Sequence, residues 1–364
     1  MPGNLLETPM HAWHAAHGGR LVDFAGWSMP VQYGSIVEEH QACRTSAALF
    51  DVSHMGRLYF EGSQADELLD RLLTRKVVGL SPGKVRYSLI CNEAGGILDD
   101  VLIYHVTGLV GPPYWLLVVN ASNRQKILDW IQPQLPAGVQ LADRTTQTAM
   151  IAFQGPAALA QISKHVDVPL QNMAVYSSIS ATLDGIPALI SRTGYTGEDG
   201  CEIIVEAPHA EQVWTLLING GARAAGLAAR DTLRLEAAMP LYGHELSEAI
   251  NPYQAGLEFA VNLAGREFIG RSALKRFKQE SGQTKRIGLS MQNRRVPREG
   301  FGVFAGDTQV GEVTSGTFSP TLNRPIAMAY VAPNAADVGN QLMIDIRGSR
   351  EACEVVPLPF YQRR

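Results

Sequence analysis

Cysteine is scarce in this chain. Only Cys43, Cys91, Cys201 and Cys353 occur among 364 residues, and no two form a CxxC pair. That excludes a zinc ribbon or a local iron–sulfur cradle and fits buried thiols in a reducing compartment. An excess of positive charge is missing too. Thirty-one basic residues face 35 acidic ones, a net charge of −4, so no global field attracts nucleic acid. Apolar runs such as Trp115–Val119 are far too short to span a membrane. The start, Met-Pro-Gly-Asn-Leu-Leu-Glu-Thr-Pro, has neither the basic-then-apolar layout of a secretory signal nor the Arg-rich pattern of a transit segment, so a cytoplasmic protein is expected. Absent also are the phosphate loop GxxxxGK[ST], a GxGxxG opening a strand–helix unit, a GxSxG elbow and HExxH. No nucleotide site and no metal centre are therefore expected. His11, His14 and His17 sit three apart, but such a row drifts around a helix and brings no carboxylate; an amphipathic surface segment is the simpler expectation.

What remains is a globular composition, 46% apolar and 18% charged, long enough for two to three domains. Helical periodicity marks 34–48, and 64–74 with Ser63 as its cap. The clearest hairpin pairs Arg86–Cys91 with Ile97–Val106 around Asn92-Glu93-Ala94-Gly95-Gly96. Trp115–Asn120 reads as a strand and Arg124–Ile131 as a helix. Strand and helix then alternate: Ala149–Gln154, the helix Pro156–His165, the pair Ser178–Asp184 and Pro187–Arg192, Cys201–Val205, and helices His209–Gly220 and Thr232–Met239. This describes α+β units and not a doubly wound sheet. From about residue 282, five short strand candidates (Arg286–Met291, Val310–Thr314, Ile326–Val331, Gln341–Ile346, Glu351–Val356) describe a small all-β sandwich or barrel.

Three clusters break the pattern. Asp99 and Asp100 interrupt a strand whose two faces are otherwise apolar, so each aspartate would be largely buried. An unpaired buried carboxylate costs several kcal/mol, so each needs a partner or a task. One reading is an aspartate accepting turn N–H groups beside the glycines; the other is a ligand group, which Tyr104, on the same face as Asp100, favours. Arg192–Glu202 carries Gly194, Gly197 and Gly200 at spacing three, for tight turns or a close backbone approach. Within it Glu202 shares a face with Ile204 and Glu206, where a solvent-facing carboxylate is the plain reading. Ala229–Glu236 reads as a helix start with Asp231 as N-cap and with Arg230 and Arg234 in a solvated i, i+4 network.

In this order the stretches resemble the aminomethyltransferase (T-protein) family of the glycine cleavage system. The similarity runs through Asp23-Phe24-Ala25-Gly26-Trp27, Phe50-Asp51-Val52-Ser53-His54-Met55-Gly56, Asn92–Asp100, Gly194–Gly200, Ala229–Glu236, Leu241-Tyr242-Gly243-His244-Glu245, Ala255-Gly256-Leu257-Glu258 and Gly316-Thr317-Phe318-Ser319-Pro320-Thr321. Each is weak alone; the ordered set is specific and covers residues from about 20 to 330. The resemblance implies a three-domain cloverleaf around a central folate-binding hole. Two discontinuous α+β, ferredoxin-like domains would comprise 1–50 with 145–240 and 51–144 with 241–281, followed by a C-terminal β-barrel at 282–364.

The same resemblance implies the site. Asp100 matches the family's essential aspartate beside the reactive nitrogens of tetrahydrofolate. Glu202 matches the carboxylate that accepts hydrogen bonds from the pterin amino edge, where a two-oxygen acceptor suits parallel N–H donors. Tyr87, Tyr104, Tyr176 and Tyr195 match the aromatic lining, Asn120 and Met55 the pterin contacts, Arg230 the arginine at the folate site, and Tyr361 a C-terminal contact. The implied partner is the lipoylated H-protein, whose S-aminomethyl arm gives its one-carbon unit to tetrahydrofolate with loss of ammonia, forming 5,10-methylenetetrahydrofolate. A carboxylate such as Asp100 can stabilise a cationic iminium-like carbon, or orient or deprotonate the folate amine. Two rival readings are the folate-dependent partner of a sarcosine or dimethylglycine oxidising system and a folate-binding iron–sulfur assembly factor. The chain lacks the Lys-Gly-Cys-Tyr-x-Gly-Gln signature of the second. Two departures from the family stand out: Ala238 where glycine is common, and Cys201 in place of a frequent aromatic or aliphatic residue.

Overall fold

The computed structural model describes residues 5–109 and 111–363, which divide into two compact units. The first comprises residues up to Ser88 with Asp100–Gly194 and Glu198–Arg230; the second comprises Leu89–Asp99, Tyr195–Gly197 and the chain from Asp231 onward. The architecture is α+β with a closed C-terminal barrel, as expected.

In the first unit a six-stranded sheet runs in the order Ser178–Leu183, Ile186–Ser191, Gly200–Glu206, Thr148–Gln154, Ala48–Asp51, Arg223–Ala224. Every residue of Thr148–Gln154 is buried, which marks a strand covered on both faces. Trp214, Phe153, Leu49 and Ile203 belong to the core packed against it. The helix Ala210–Asn219 faces this core with Val213, Trp214 and Leu217. Gly194 and Gly200 lie where a side chain cannot fit: a Cβ at Gly194 would stand 2.0 Å from Gln154 Oε1, and one at Gly200 2.4 Å from the Phe153 carbonyl. The Gly-rich stretch near residue 20, which carries no strand pattern in the sequence, folds into a three-stranded sheet ordered Leu6–Glu7, Trp27–Gln32, Arg20–Phe24.

A five-stranded sheet orders Val85–Cys91, Ile97–Val106, Tyr114–Val119, Gly56–Glu61 and Gln140–Asp143. The hairpin turn closes on Asn92, whose N–H donates to Gly96 O at 2.9 Å and whose Oδ1 accepts from Gly96 N at 3.0 Å. The helix expected over 64–74 is Ala65–Leu72. Gln64 and not Ser63 stands at its N-cap, and no side chain caps it. The helix expected from Pro156 shrinks to Ala158–Ile162.

The barrel closes in the order Lys285–Met291, Arg324–Val331, Thr308–Ser319, Gly302–Ala305, Gln341–Ile346, Ser349–Val356. Its sixth strand, Gly302–Ala305, was missing from the sequence pattern because four residues give too little alternation. The bulge between Val313 and Ser315 breaks the period of Thr308–Ser319, so only its first half reads as a strand.

The Asp231 cap is a second correction. The helix begins at Leu227 and runs to Glu236, so Asp231 lies inside it and pairs with Arg234 at 2.8 Å. The start is set upstream: Gly226 N–H donates to the buried Glu39 carboxylate at 2.9 Å, and a Cβ at Gly226 would stand 2.3 Å from the Val31 backbone. Arg234 is not solvated. It is buried against Glu245 at 2.9 Å and donates to Ser315 Oγ at 2.8 Å. Glu236 accepts from Ser319 Oγ at 2.5 Å and Thr321 Oγ1 at 2.7 Å, fixing the Gly316–Thr321 stretch to the helix end. Ala238 has φ +55°, the left-handed region, which explains why glycine suits this position.

Candidate functional site

Asp99 and Asp100 end up differently. Asp99 is fully buried, while Asp100 keeps part of its surface open. The Asp100 carboxylate accepts from Asn120 Nδ2 at 2.8 Å and from the Tyr87 hydroxyl at 3.2 Å. Asn120 also donates to the Asp100 carbonyl at 3.2 Å. These partners are neutral. Burial pushes the Asp100 carboxyl up to about 6, against the downward pull of the Asn120 and Tyr87 hydrogen bonds. Adjacent strands supply the arrangement: Tyr87 comes from Val85–Cys91, and Asn120 follows Tyr114–Val119.

Four residues along the same strand face, about 13 Å away, stands Tyr104, with no exposed surface. Its phenol lies beside Ser191 and Thr193, and burial and the Glu202 charge push its pKa up. Glu202 is 5% exposed, so the solvent-facing expectation fails. Its strand lies inside the six-stranded sheet, opposite Ala152 on one side and Ser191 on the other. Thr193 Oγ1 donates to Glu202 Oε2 at 2.5 Å, and the Ser191 and Thr193 hydroxyls are 2.7 Å apart. Burial raises the Glu202 pKa, opposed by the Thr193 hydrogen bond and the nearby Arg230 charge. Tyr176 is 45% exposed with φ +58°; burial of its phenol and the Glu202 charge raise its pKa.

Met55 is half-buried in the turn after Asp51. That turn is held from below by Arg57, which has no exposed surface. Its guanidinium donates to the carbonyls of Ser53 at 3.1 Å, Met55 at 2.5 Å and Thr148 at 3.0 Å, and to the Thr145 carbonyl, while Nε reaches Thr148 Oγ1 at 2.7 Å. Burial pulls its pKa down to about 10, so it stays cationic at neutral pH. Arg57→Met leaves these carbonyls without their donor and is expected to cost about 3–5 kcal/mol, with Arg57→Lys intermediate. Urea midpoints check this, and a loss below about 1 kcal/mol would show that the guanidinium does not hold the turn.

Asp51 Oδ1 accepts from Ser53 N at 2.9 Å, and Asp51 Oδ2 meets His14 Nε2 at 2.9 Å. His14, far from lying on a surface face, is fully buried, and its Nδ1 meets the Tyr33 hydroxyl at 2.7 Å. His17 stacks on Trp13. Among the described residues no group of three or more His, Cys, Asp or Glu is arranged to hold a metal ion. Burial pushes the His54 pKa down to about 4; Asp51 opposes the shift, and Arg230 and Arg57 add to it, so the imidazole is neutral.

The first unit thus contains Asp100 with Tyr87 and Asn120, Glu202 with Tyr104, Tyr176 and Arg230, and Met55. Tyr195 and Tyr361 lie in the second unit, where the Tyr195 hydroxyl donates to Pro240 O at 2.5 Å and Tyr361 N to Glu236 O at 2.8 Å. Sequence reasoning missed Thr193, Ser191, His54 and Arg57. Thr193 and Ser191 had one available signal, their spacing of two at the end of the strand Ile186–Ser191, which pairs with the strand of Glu202. No helix among the described residues is long and apolar enough to cross a membrane.

Comparison with known proteins gives the family. The GCVT N-terminal domain family matches residues 10–265, and the glycine cleavage T-protein C-terminal barrel domain matches 285–362. An aminomethyltransferase of Geobacillus kaustophilus is 44% identical over 365 residues, covering 99% of both chains. One from Streptomyces coelicolor is 45% identical over 370 residues, covering 99% of this chain and 98% of its own. The glycine cleavage system aminomethyltransferase T from Bartonella henselae superposes with a TM-score of 0.92 at 32% identity, covering 99% of each. With both family regions matched and the fold shared end to end, the chain belongs to the glycine cleavage T-protein family of aminomethyltransferases.

Proposed function

We propose that this aminomethyltransferase takes the one-carbon unit from the S-aminomethyl-dihydrolipoyl arm of the H-protein and transfers it to tetrahydrofolate, releasing ammonia and leaving 5,10-methylenetetrahydrofolate and the dihydrolipoyl protein. The observation that carries the reading is Asp100, a partly open carboxylate held by the neutral donors Asn120 and Tyr87, in the same compact unit as a second buried carboxylate, Glu202.

The chain's own groups divide the work. Tetrahydrofolate supplies the nucleophilic nitrogen. Glu202, oriented by Thr193, offers oxygen acceptors to the amino edge of the pterin. Burial raises the Glu202 pKa, and the Thr193 hydrogen bond, followed by the Arg230 charge, opposes that rise. Tyr87 and Tyr176 offer flat surfaces to flat rings, Tyr104 backs Glu202 from within the core, and Met55 brings a polarisable side chain. Asn120 and Tyr87 hold the Asp100 carboxylate in one orientation. From there it stabilises positive charge on the transferring carbon and accepts the amine proton. Much of the rate comes from positioning two carriers, because the acceptor brings its own nucleophile.

The test is direct. Mixed with aminomethyl-lipoyl H-protein and tetrahydrofolate, the protein is expected to release ammonia and 5,10-methylenetetrahydrofolate in equal amounts. Failure to bind reduced folate by calorimetry would remove the proposal.

A further inference from the structure

Glu39 has no exposed surface and no part in the reaction described above. It stands in the first turn of the helix Ile36–Thr45 and accepts from three backbone N–H groups of two other segments. Its Oε1 takes Tyr33 N at 2.7 Å and Gly34 N at 3.0 Å, and its Oε2 takes Gly226 N at 2.9 Å. Burying a carboxylate is costly, and a neutral side chain can close a helix end at less cost. What Gly226 leads to gives this carboxylate a further task. Gly226 immediately precedes the helix Leu227–Glu236, and Arg230 N donates to Gly226 O at 3.2 Å. One helical turn therefore separates the pinned peptide from Arg230. That peptide has no slack: Gly226 is buried, and a Cβ on it would stand 2.3 Å from Val31 C and 2.5 Å from Gln32 N. Tyr33 and Gly34 continue directly from this Val31–Gln32 backbone. One side chain thus clamps both Gly226 and the chain it packs against. Arg230 is in turn the cation acting on Glu202, which also meets the Thr193 hydroxyl, the Tyr104 and Tyr176 phenols and the Cys201 thiol. A charge acts according to its distance, so the place of the helix start matters to Glu202.

We propose that Glu39 is a positioning residue of the folate site: by bridging Tyr33 and Gly34 to Gly226 it fixes the helix start, and with it the place of Arg230 relative to Glu202. The proposal rests on the reading of Glu202 as the pterin acceptor and extends it to a residue of another helix.

The experiment is a double-variant cycle on Glu39→Gln and Arg230→Met, read by calorimetry with tetrahydrofolate across pH and by melting. An amide has one oxygen, so its NH2 group must face N–H donors at Gly226 or at Tyr33 and Gly34. Glu39→Gln is expected to weaken folate binding about five- to thirtyfold, with kcat at saturating folate changed by less than about threefold. Burial raises the Glu202 pKa against the Thr193 hydrogen bond and the Arg230 charge, so with Arg230 displaced it climbs further. Loss of folate affinity on acidification should then begin at higher pH than in the wild type. In the Arg230→Met background the same substitution should change affinity by less than about twofold and leave the pH profile unmoved. Both glutamine proteins should melt below their parents, because the N–H groups lose an acceptor whether or not Arg230 is present. Glu39→Asp, its carboxylate withdrawn by one methylene, carries the same comparison where the glutamine protein does not fold. Equal weakening in both backgrounds, or lower melting with unchanged folate affinity, would reduce Glu39 to a structural role and overturn the proposal. A wild type that binds no reduced folate would overturn the folate reading. The coupling is then read in the free protein by carbon-13 titration of the Glu202 carboxyl, assigned with Glu202→Gln, and a titration that Glu39→Gln leaves unmoved overturns it as well.

Discussion

Asp100→Asn is expected to lower kcat by about 10²–10⁴-fold while leaving folate binding close to wild type. The amide keeps the shape of the carboxylate: its oxygen takes the Oδ1 position and accepts from Asn120 Nδ2, while its NH2 takes the Oδ2 position and donates to the Tyr87 hydroxyl oxygen. What it loses is the negative charge and the ability to take a proton. The same substitution should raise stability. Burial pushes the Asp100 carboxyl up to about 6, so between about pH 4 and that value the folded protein holds a proton the unfolded chain has released. Stability attributable to this group therefore falls as pH rises through that window. At pH 7 the ionised group costs roughly 1–3 kcal/mol, after allowance for its partial exposure. The variant should thus melt higher than wild type at pH 7 and converge with it near pH 4.

Activity follows the opposite sign. If ionised Asp100 does the work, wild-type kcat should fall as pH drops through about 6, and this limb should be missing from the residual activity of the asparagine variant. Turnover, a pH profile and a melting curve together separate a role in the reaction from one in folding. Full activity in the variant, or lower stability with an unchanged pH profile, would remove the assignment.

Why Asp100 was legible and other groups were not is a matter of range. A carboxylate inside an apolar strand conflicts with its immediate neighbours, so ten residues of sequence suffice to notice it. The barrel was visible for the same reason, as short alternating runs with turn residues between them. Glu202 was misread because alternation along Gly200–Glu206 gives a face but not what covers it. Glu206 on that face is exposed while Glu202 is buried, and the cover depends on strand order in a six-stranded sheet. Arg57 is harder still. Its acceptors include Thr145 and Thr148, about ninety positions away in the chain, and nothing near an arginine in a strand announces that its charge will be buried on carbonyls. The Asp231 cap failed differently. A good capping residue was present, but Gly226, held by Glu39 from an early helix, had already set the start. Local rules found elements and anomalies, and long-range pairing decided which of them met.

Glu202→Ala carries the second large effect, and it should appear in binding and not in the chemical step. Two carboxylate oxygens facing pterin N–H donors make charge-assisted hydrogen bonds of about 1.5–3 kcal/mol each net. Their joint loss, about 3–6 kcal/mol, should weaken folate binding by about 10²–10⁴-fold, with kcat at saturating folate changed by less than about threefold. Thr193→Val refines the test. Its hydroxyl donates to Glu202 Oε2 at 2.5 Å and lowers a pKa that burial raises. Without that donor the Glu202 pKa climbs further, so the protonated fraction grows at any given pH. Folate KM in the wild type should rise as pH falls through the Glu202 pKa, and in the valine variant the same rise should begin at higher pH. A Glu202→Ala protein with wild-type affinity would exclude Glu202 as the pterin acceptor. A drop in kcat with unchanged KM would move it from binding into the reaction beside Asp100.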